Sequence, residues 1–93
     1  MLNKKTKVSL LVGGTSPERA VSKMSGKGIL QALKNLQFPT KIIDPAYGLH
    51  QPKEEDQFFS EKDFSEISNR NCIDAINSTM FEDVDVVFSA MHG

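Results

Sequence analysis

A carboxylate, three hydroxyls and an imidazole stand at two turns that follow apolar segments of this chain. The first turn follows residues 8–12, VSLLV, and reads Gly13-Gly14-Thr15-Ser16-Pro17-Glu18-Arg19. The second follows DVDVVFSA and reads Met91-His92-Gly93. Gly13 and Gly14 permit positive φ and let backbone or ligand come close. A helix starting just beyond them offers free N–H groups, which favour anions, while Glu18 favours a cation. Ser22 adds a hydroxyl one turn further on. Together these groups suit a small zwitterion, such as an amino acid, better than a bare phosphate. Each also has a plainer role. Glu18 can cap the helix or face its dipole, His92 can hydrogen-bond within its turn, and Ser22 can be a capping or exposed hydroxyl. Arg19 reads as a surface or interdomain ion-pair partner. Asp44 resembles a ribose-binding acid in position, but Asp before Pro45 signals a turn, and the turn is the reading favoured here.

Other chemistries do not fit. GGTSPE lacks the spacing of G-x-G-x-x-G, and no Gly-Lys-Ser/Thr follows, so it is not a phosphate loop. His50, His92 and one cysteine make no zinc pattern, and no metal ligands are assigned. Glu18 and His92 lack a partner serine or cysteine for nucleophilic catalysis. The 93 residues carry a net charge of −1, which gives no electrostatic case for nucleic acid or an anionic membrane. The basic NKKTK reads as a solvated lead into the first strand. Cys72 is the only cysteine, so no intrachain disulfide can form, which suits a reducing compartment. The apolar run near Met1 is too short for a signal peptide. No stretch approaches the ~20 apolar residues that span a bilayer. A soluble, cytoplasmic, single-domain protein is the expectation.

The elements that must position these residues alternate. VSLLV reads as a strand buried on both faces. The helix after it begins between Thr15 and Ser22. Ser16 as N-cap would put Pro17 at the first helical position; Thr15 as N-cap would make Thr15-x-x-Glu18 a capping box. Val21, Met24, Ile29, Leu33 and Leu36 form its apolar stripe, with Ser25, Gly28 and Ala32 letting the axis sit close to a sheet. Pro39 ends it near Gln37. Residues 40–44, TKIID, form a second strand closed by Pro45. Residues 46–60 read as a polar surface loop, EKDFSEI as one or two helical turns, and NCIDAINSTMF as a helix packed on the sheet. Residues 83–90 form a third strand. Strands separated by helices predict an α/β fold with a short parallel sheet and right-handed crossovers; the strand order taken for it is 2-1-3. In such a sheet ligands bind beyond the carboxyl ends of the strands. That order would bring the two turns to one crevice.

LLVGGTSPERAVSKMSGKGILQAL resembles the opening of bacterial D-alanine–D-alanine ligases, which typically runs G-G-x-S-x-E-R-E-V-S-x-x-S-G. The match takes in Gly13, Gly14, Ser16, Glu18, Arg19, Val21, Ser22, Ser25 and Gly26. IIDP, residues 42–45, looks like the family's second strand, and VDVVFSAMHG like its third strand and the start of its His-Gly motif. Residues 46–81 match no motif. Ala20 stands where the family commonly has an acidic residue.

The resemblance implies a three-layer Rossmann-like (pre-ATP-grasp) fold. Residues 1–93 would be a single N-terminal, substrate-side domain of a three-domain ATP-grasp ligase of peptidoglycan and cell-wall synthesis. In that family ATP phosphorylates the carboxylate of one D-alanine, and the amine of a second attacks the acyl phosphate. By residue-wise carry-over, Glu18 would receive the first substrate's ammonium, Val21 would pack near its methyl group, and His92 would line the pocket with Ser22. Gly13, Gly14, Ser16 and Gly93 would supply loop backbone. The implied cofactors of the intact enzyme are ATP and Mg2+, held by central and C-terminal domains, with none on this chain alone. The implied partners are D-alanine, those domains and a second copy in a homodimer. This chain alone is expected to be an inactive, truncated piece. The alternatives are a stand-alone small-molecule-binding α/β domain without catalysis and, less well matched, a generic nucleotide-binding module.

Overall fold

The computed structural model describes residues 5–91. Three short strands, β1 (Val8–Leu11), β2 (Thr40–Ile43) and β3 (Val86–Ser89), form a parallel sheet in the order β2-β1-β3. Both neighbours pair with β1 in matching register, so Leu11 faces Ile43 on one side and Ser89 on the other. The three carboxyl ends therefore finish level. This is the predicted α/β sheet and strand order.

Helix α1 (Arg19–Asn35) crosses from β1 to β2. Its buried line is Ser22, Lys23, Gly26, Leu30 and Leu33, so of the expected apolar stripe only Leu33, and Ile29 packed against the core, face inward. Val21 and Met24 are 46% and 77% exposed, and Leu36 also faces solvent. Gly26 explains the rotation. A Cβ there would run into the Val12 side chain, so only glycine lets the axis press against the end of β1 at this point. Leu10, Val12, Leu30, Phe58 and Ala90 form the core, with Ile29, Ile42 and Phe59 packed around it.

The helix ends in a Schellman motif. Gln37 takes φ +63°, its N–H donates to Lys34 O at 3.0 Å, and the Phe38 N–H donates to Leu33 O at 3.1 Å. The chain then turns directly into β2.

Residues 46–60 are not the expected surface loop. A 3-10 turn, Pro45–Tyr47, is buried throughout, and the short helix α2 (Glu55–Phe59) sends Phe58 into the core. The apolar residues of this polar stretch are few, but each is used. The helical turns expected at EKDFSEI do not form. Backbone groups there bond to other elements instead: Ser60 O accepts from Lys23 Nζ at 2.7 Å, and the Phe64 N–H donates to Tyr47 Oη at 2.9 Å.

The predicted later helix exists as α3 (Asn69–Ile76), capped by Ser68 Oγ, which accepts from the Asn71 N–H. It packs on the 3-10 turn rather than the sheet. Asn71 Nδ2 donates to Ala46 O at 3.0 Å, and Ala75 is buried while Ile73 and Ile76 are exposed.

Candidate functional site

The carboxyl end of β1 is built by two glycines with φ of +81° and +82°. L-residues avoid that region, and Gly13 is doubly constrained because a Cβ would collide with the Asp44 carboxylate. Each glycine amide has a side-chain acceptor. The Gly13 N–H donates to Ser22 Oγ at 2.9 Å, and the Gly14 N–H to Asp44 Oδ1 at 3.2 Å. The diglycine turn is thus held from α1 on one side and from the end of β2 on the other.

Asp44 is fully buried. The same Oδ1 accepts from the Ala46 N–H at 3.1 Å, capping the 3-10 turn, so the favoured reading of Asp44 as a turn residue holds. Its Oδ2 lies 2.8 Å from Arg19 Nη1. Arg19 is therefore not a surface or interdomain partner. Its side chain is only 12% exposed, stacks 5.2 Å from the Tyr47 ring centroid, and donates from Nη1 to Gly14 O at 2.8 Å. A second carboxylate, Asp63, lies 3.1 Å from Nη2.

The pair is asymmetric. Burial works against the Arg19 charge, but Asp44 and Asp63 together outweigh it and hold the guanidinium above its ordinary value. Burial pushes the Asp44 carboxyl up, and the Arg19 charge and the Gly14 and Ala46 amides only partly offset it. One guanidinium has two carboxylates, whereas the fully buried carboxylate must share its one guanidinium. Nearby Cys72 is also pushed up, by burial and then by Asp44, and so stays a thiol at neutral pH.

Neither expected helix start is observed. Ser16 caps the turn before the helix, accepting from the Glu18 N–H at 3.1 Å through Oγ and from the Arg19 N–H at 3.1 Å through its carbonyl. Glu18 itself occupies the N-cap position with φ −85° and ψ 13°, but its side chain makes no capping hydrogen bond. Its carboxylate is exposed and makes no hydrogen bond or ion pair among the described residues. Thr15 Oγ1 is engaged by Asn69 Oδ1 on α3.

The predicted site residues therefore divide. Gly13, Gly14 and Ser22 are buried and linked through the Gly13 N–H, and Ser16, Glu18 and Val21 stand at the adjoining start of α1, with Glu18 and Val21 exposed. His92 and Gly93 lie outside the described residues. The end of β3 does approach the diglycine turn: a Cβ on Gly14 would lie 3.4 Å from Met91 Cε. The roles of Asp44 and Arg19 in holding the turn, and the parts played by Lys23, Asp63 and Tyr47, were not anticipated. The polar residues scattered through residues 46–68 gave no periodic signal.

No family model matches the chain. Several known proteins do. A protein of Mannheimia succiniciproducens named D-alanine–D-alanine ligase is 36% identical over 87 residues, 92% of this chain and 27% of that protein. One of the same name from Acidovorax ebreus is 54% identical over 41 residues, 44% of this chain and 12% of that protein. Another, from a Polaromonas species, is 50% identical over 40 residues, 43% of this chain and 12% of that protein. The chain thus spans about a quarter or less of the length of these relatives.

Proposed function

This chain is a sequence relative of the D-alanine–D-alanine ligases, and from that kinship we propose that it is the N-terminal, substrate-side domain of such an enzyme. The observation that carries the proposal is the diglycine turn at the carboxyl edge of a β2-β1-β3 sheet, beside an exposed Glu18 with no partner among the described residues, in a chain 36% identical over 87 residues to one such protein. The whole enzyme would join two D-alanines in the cytoplasm for the cell wall. No helix among the described residues is long and apolar enough to cross a membrane.

Within that reading, Glu18 receives the ammonium group of the first D-alanine. Because the carboxylate has no partner among the described residues, an incoming cation breaks no bond that they make. Val21, exposed one turn along α1, offers a surface for a methyl group. Ser22 acts from below: its Oγ fixes the Gly13 amide and hence the path of the turn. His92, outside the described residues, is assigned to the same pocket on the family resemblance alone.

ATP and magnesium are held elsewhere in this proposal. Among the described residues no three His, Cys, Asp or Glu side chains converge as a metal site. The residues present do not fit the metal, and no step through it or through ATP is assigned to them. The amino-acid side of the reaction is this chain's share.

A chimera tests the proposal. This chain replaces the matching 87 residues of the Mannheimia succiniciproducens protein, and D-alanyl-D-alanine is measured with ATP, Mg2+ and D-alanine supplied. The expected result is product from the chimera and none from the 93-residue chain alone. A folded chimera that forms no product and binds no D-alanine would favour a stand-alone binding domain instead. Product from the chain alone would overturn the division of labour.

A further inference from the structure

We infer that Asp63 is a positioning residue for the diglycine turn, acting through Arg19 from a strap formed by residues 60–64. The inference rests on the proposed function for its consequence in binding, but the structural link stands by itself.

The strap has no regular secondary structure, yet it is fastened at three places. Lys23 Nζ donates to Ser60 O at 2.7 Å. Asp63 Oδ1 accepts from Arg19 Nε at 3.1 Å, lies 3.1 Å from Nη2, and lies 3.6 Å from Lys23 Nζ. The Phe64 N–H donates to Tyr47 Oη at 2.9 Å, and the Phe64 and Tyr47 rings meet edge to face with centroids 5.8 Å apart.

Arg19 is where these fastenings meet the turn. Its planar guanidinium is a rigid fork whose donors point in fixed directions. Nη1 serves Asp44 and Gly14 O, while Nε and Nη2 serve Asp63. Tyr47 lies against the fork, where the ring offers a cation–π contact. Fixing one edge of the fork with Asp63 fixes the direction of the other edge. Without Asp63, Arg19 keeps Asp44 but gains freedom to swing toward solvent, and Gly14 O loses a steady donor. Glu18 precedes Arg19 in the chain, so its carboxylate moves with this hub.

Lys23 shows that the strap is a built feature. It is a buried lysine, 5% exposed, whose ammonium is spent on the strap's Ser60 carbonyl and Asp63. Lysines are rarely buried unless paired. Asp63 thus neutralises two cations on one face of α1, while Asp44 alone faces Arg19 from the sheet side.

The test uses this chain with Asp63→Ala and Asp63→Asn. Amide exchange is read at Gly14, beside Arg19, and at Val8, whose N–H donates to Pro39 O at the far end of the sheet. Asp63→Ala should speed Gly14 exchange severalfold, because the turn that presents this N–H to Asp44 Oδ1 loosens, with Val8 unchanged. It should also shift the Arg19 Nε–H resonance. Asp63→Asn, which keeps an acceptor, should restore most of the protection. Equal acceleration at Gly14 and Val8, or no change at either, would overturn the inference. In the chimera, Asp63→Ala should raise KM for D-alanine severalfold at unchanged kcat; a fall in kcat at constant KM would also count against it. Glu18→Ala, run beside it, separates the two claims. If Glu18→Ala leaves KM unchanged, the substrate reading fails, while the exchange data on this chain still decide the role of Asp63.

Discussion

Arg19 Nη1 lies 2.8 Å from Asp44 Oδ2, directly beside the turn that ends β1. The contact joins the first residue of α1 to the residue that follows β2. Two crossovers are thereby pinned at the carboxyl edge of the sheet, where the fold places ligands. A collision between a Gly13 Cβ and this pair explains why the turn needs glycine there.

Breaking that pair should be costly. Removing one partner of a buried ion pair costs about 3–5 kcal/mol because the other charge is left uncompensated. Asp44→Ala also strips acceptors from the Gly14 and Ala46 amides. Urea unfolding should show a loss of at least about 3 kcal/mol for Asp44→Ala and a smaller loss for Asp44→Asn, which keeps an acceptor. A change under about 0.5 kcal/mol, the range of an ordinary surface substitution, would contradict the arrangement.

The pH dependence of Asp44 has a definite sign. Its folded carboxyl sits above the usual 3.8, chiefly through burial. Between the unfolded and folded values, the folded chain holds more protons. The contribution of this group is then full below 3.8 and is lost as pH rises through the folded value. Most paired carboxylates behave oppositely. A carboxyl-carbon NMR titration should place the Asp44 midpoint above 3.8. A midpoint at or below that value would show that Arg19 and the two amides outweigh burial.

Two backbone sites predict opposite stability changes. Gln37 sits at φ +63° where helices usually place glycine. Gln37→Gly should stabilise the chain by up to about 1 kcal/mol by relieving that strain. Gly26→Ala should do the reverse, costing about 1–3 kcal/mol, because the new methyl would overlap the Val12 side chain. Thermal unfolding of both variants checks the pair; the same sign for both would mean that one of these backbone readings is wrong.

Glu18→Ala should leave the stability of the chain within about 0.5 kcal/mol of the parent. Its carboxylate makes no capping bond and has no partner among the described residues, so no contact that they make is lost with it. A loss near 1 kcal/mol, the usual worth of an N-cap side chain, would restore the capping role.

Much of the sheet was legible in the sequence because short apolar runs bounded by glycine and proline admit few alternatives. The three strands and the diglycine turn followed from that pattern, and the order taken for them, 2-1-3, is the one observed. The face of α1 was legible only in its later turns, where Ile29 and Leu33 turn inward as expected. Val21 and Met24 are apolar, yet Gly26 and Ser22 decide the orientation, because close approach and a bond to the Gly13 amide outweigh side-chain hydrophobicity. The hub at Arg19 was hidden for another reason. Asp44 and Asp63 lie 25 and 44 positions away in sequence, and an irregular segment gives no period from which to infer its contacts.

The central claim is that Glu18 receives the ammonium of the first D-alanine at this edge of the sheet. Steady-state kinetics of the chimera with and without Glu18→Ala test it most directly. The account predicts that KM for the first D-alanine rises at least about tenfold, as expected when a charge-assisted bond is removed. An unchanged KM in a folded, active chimera would contradict it.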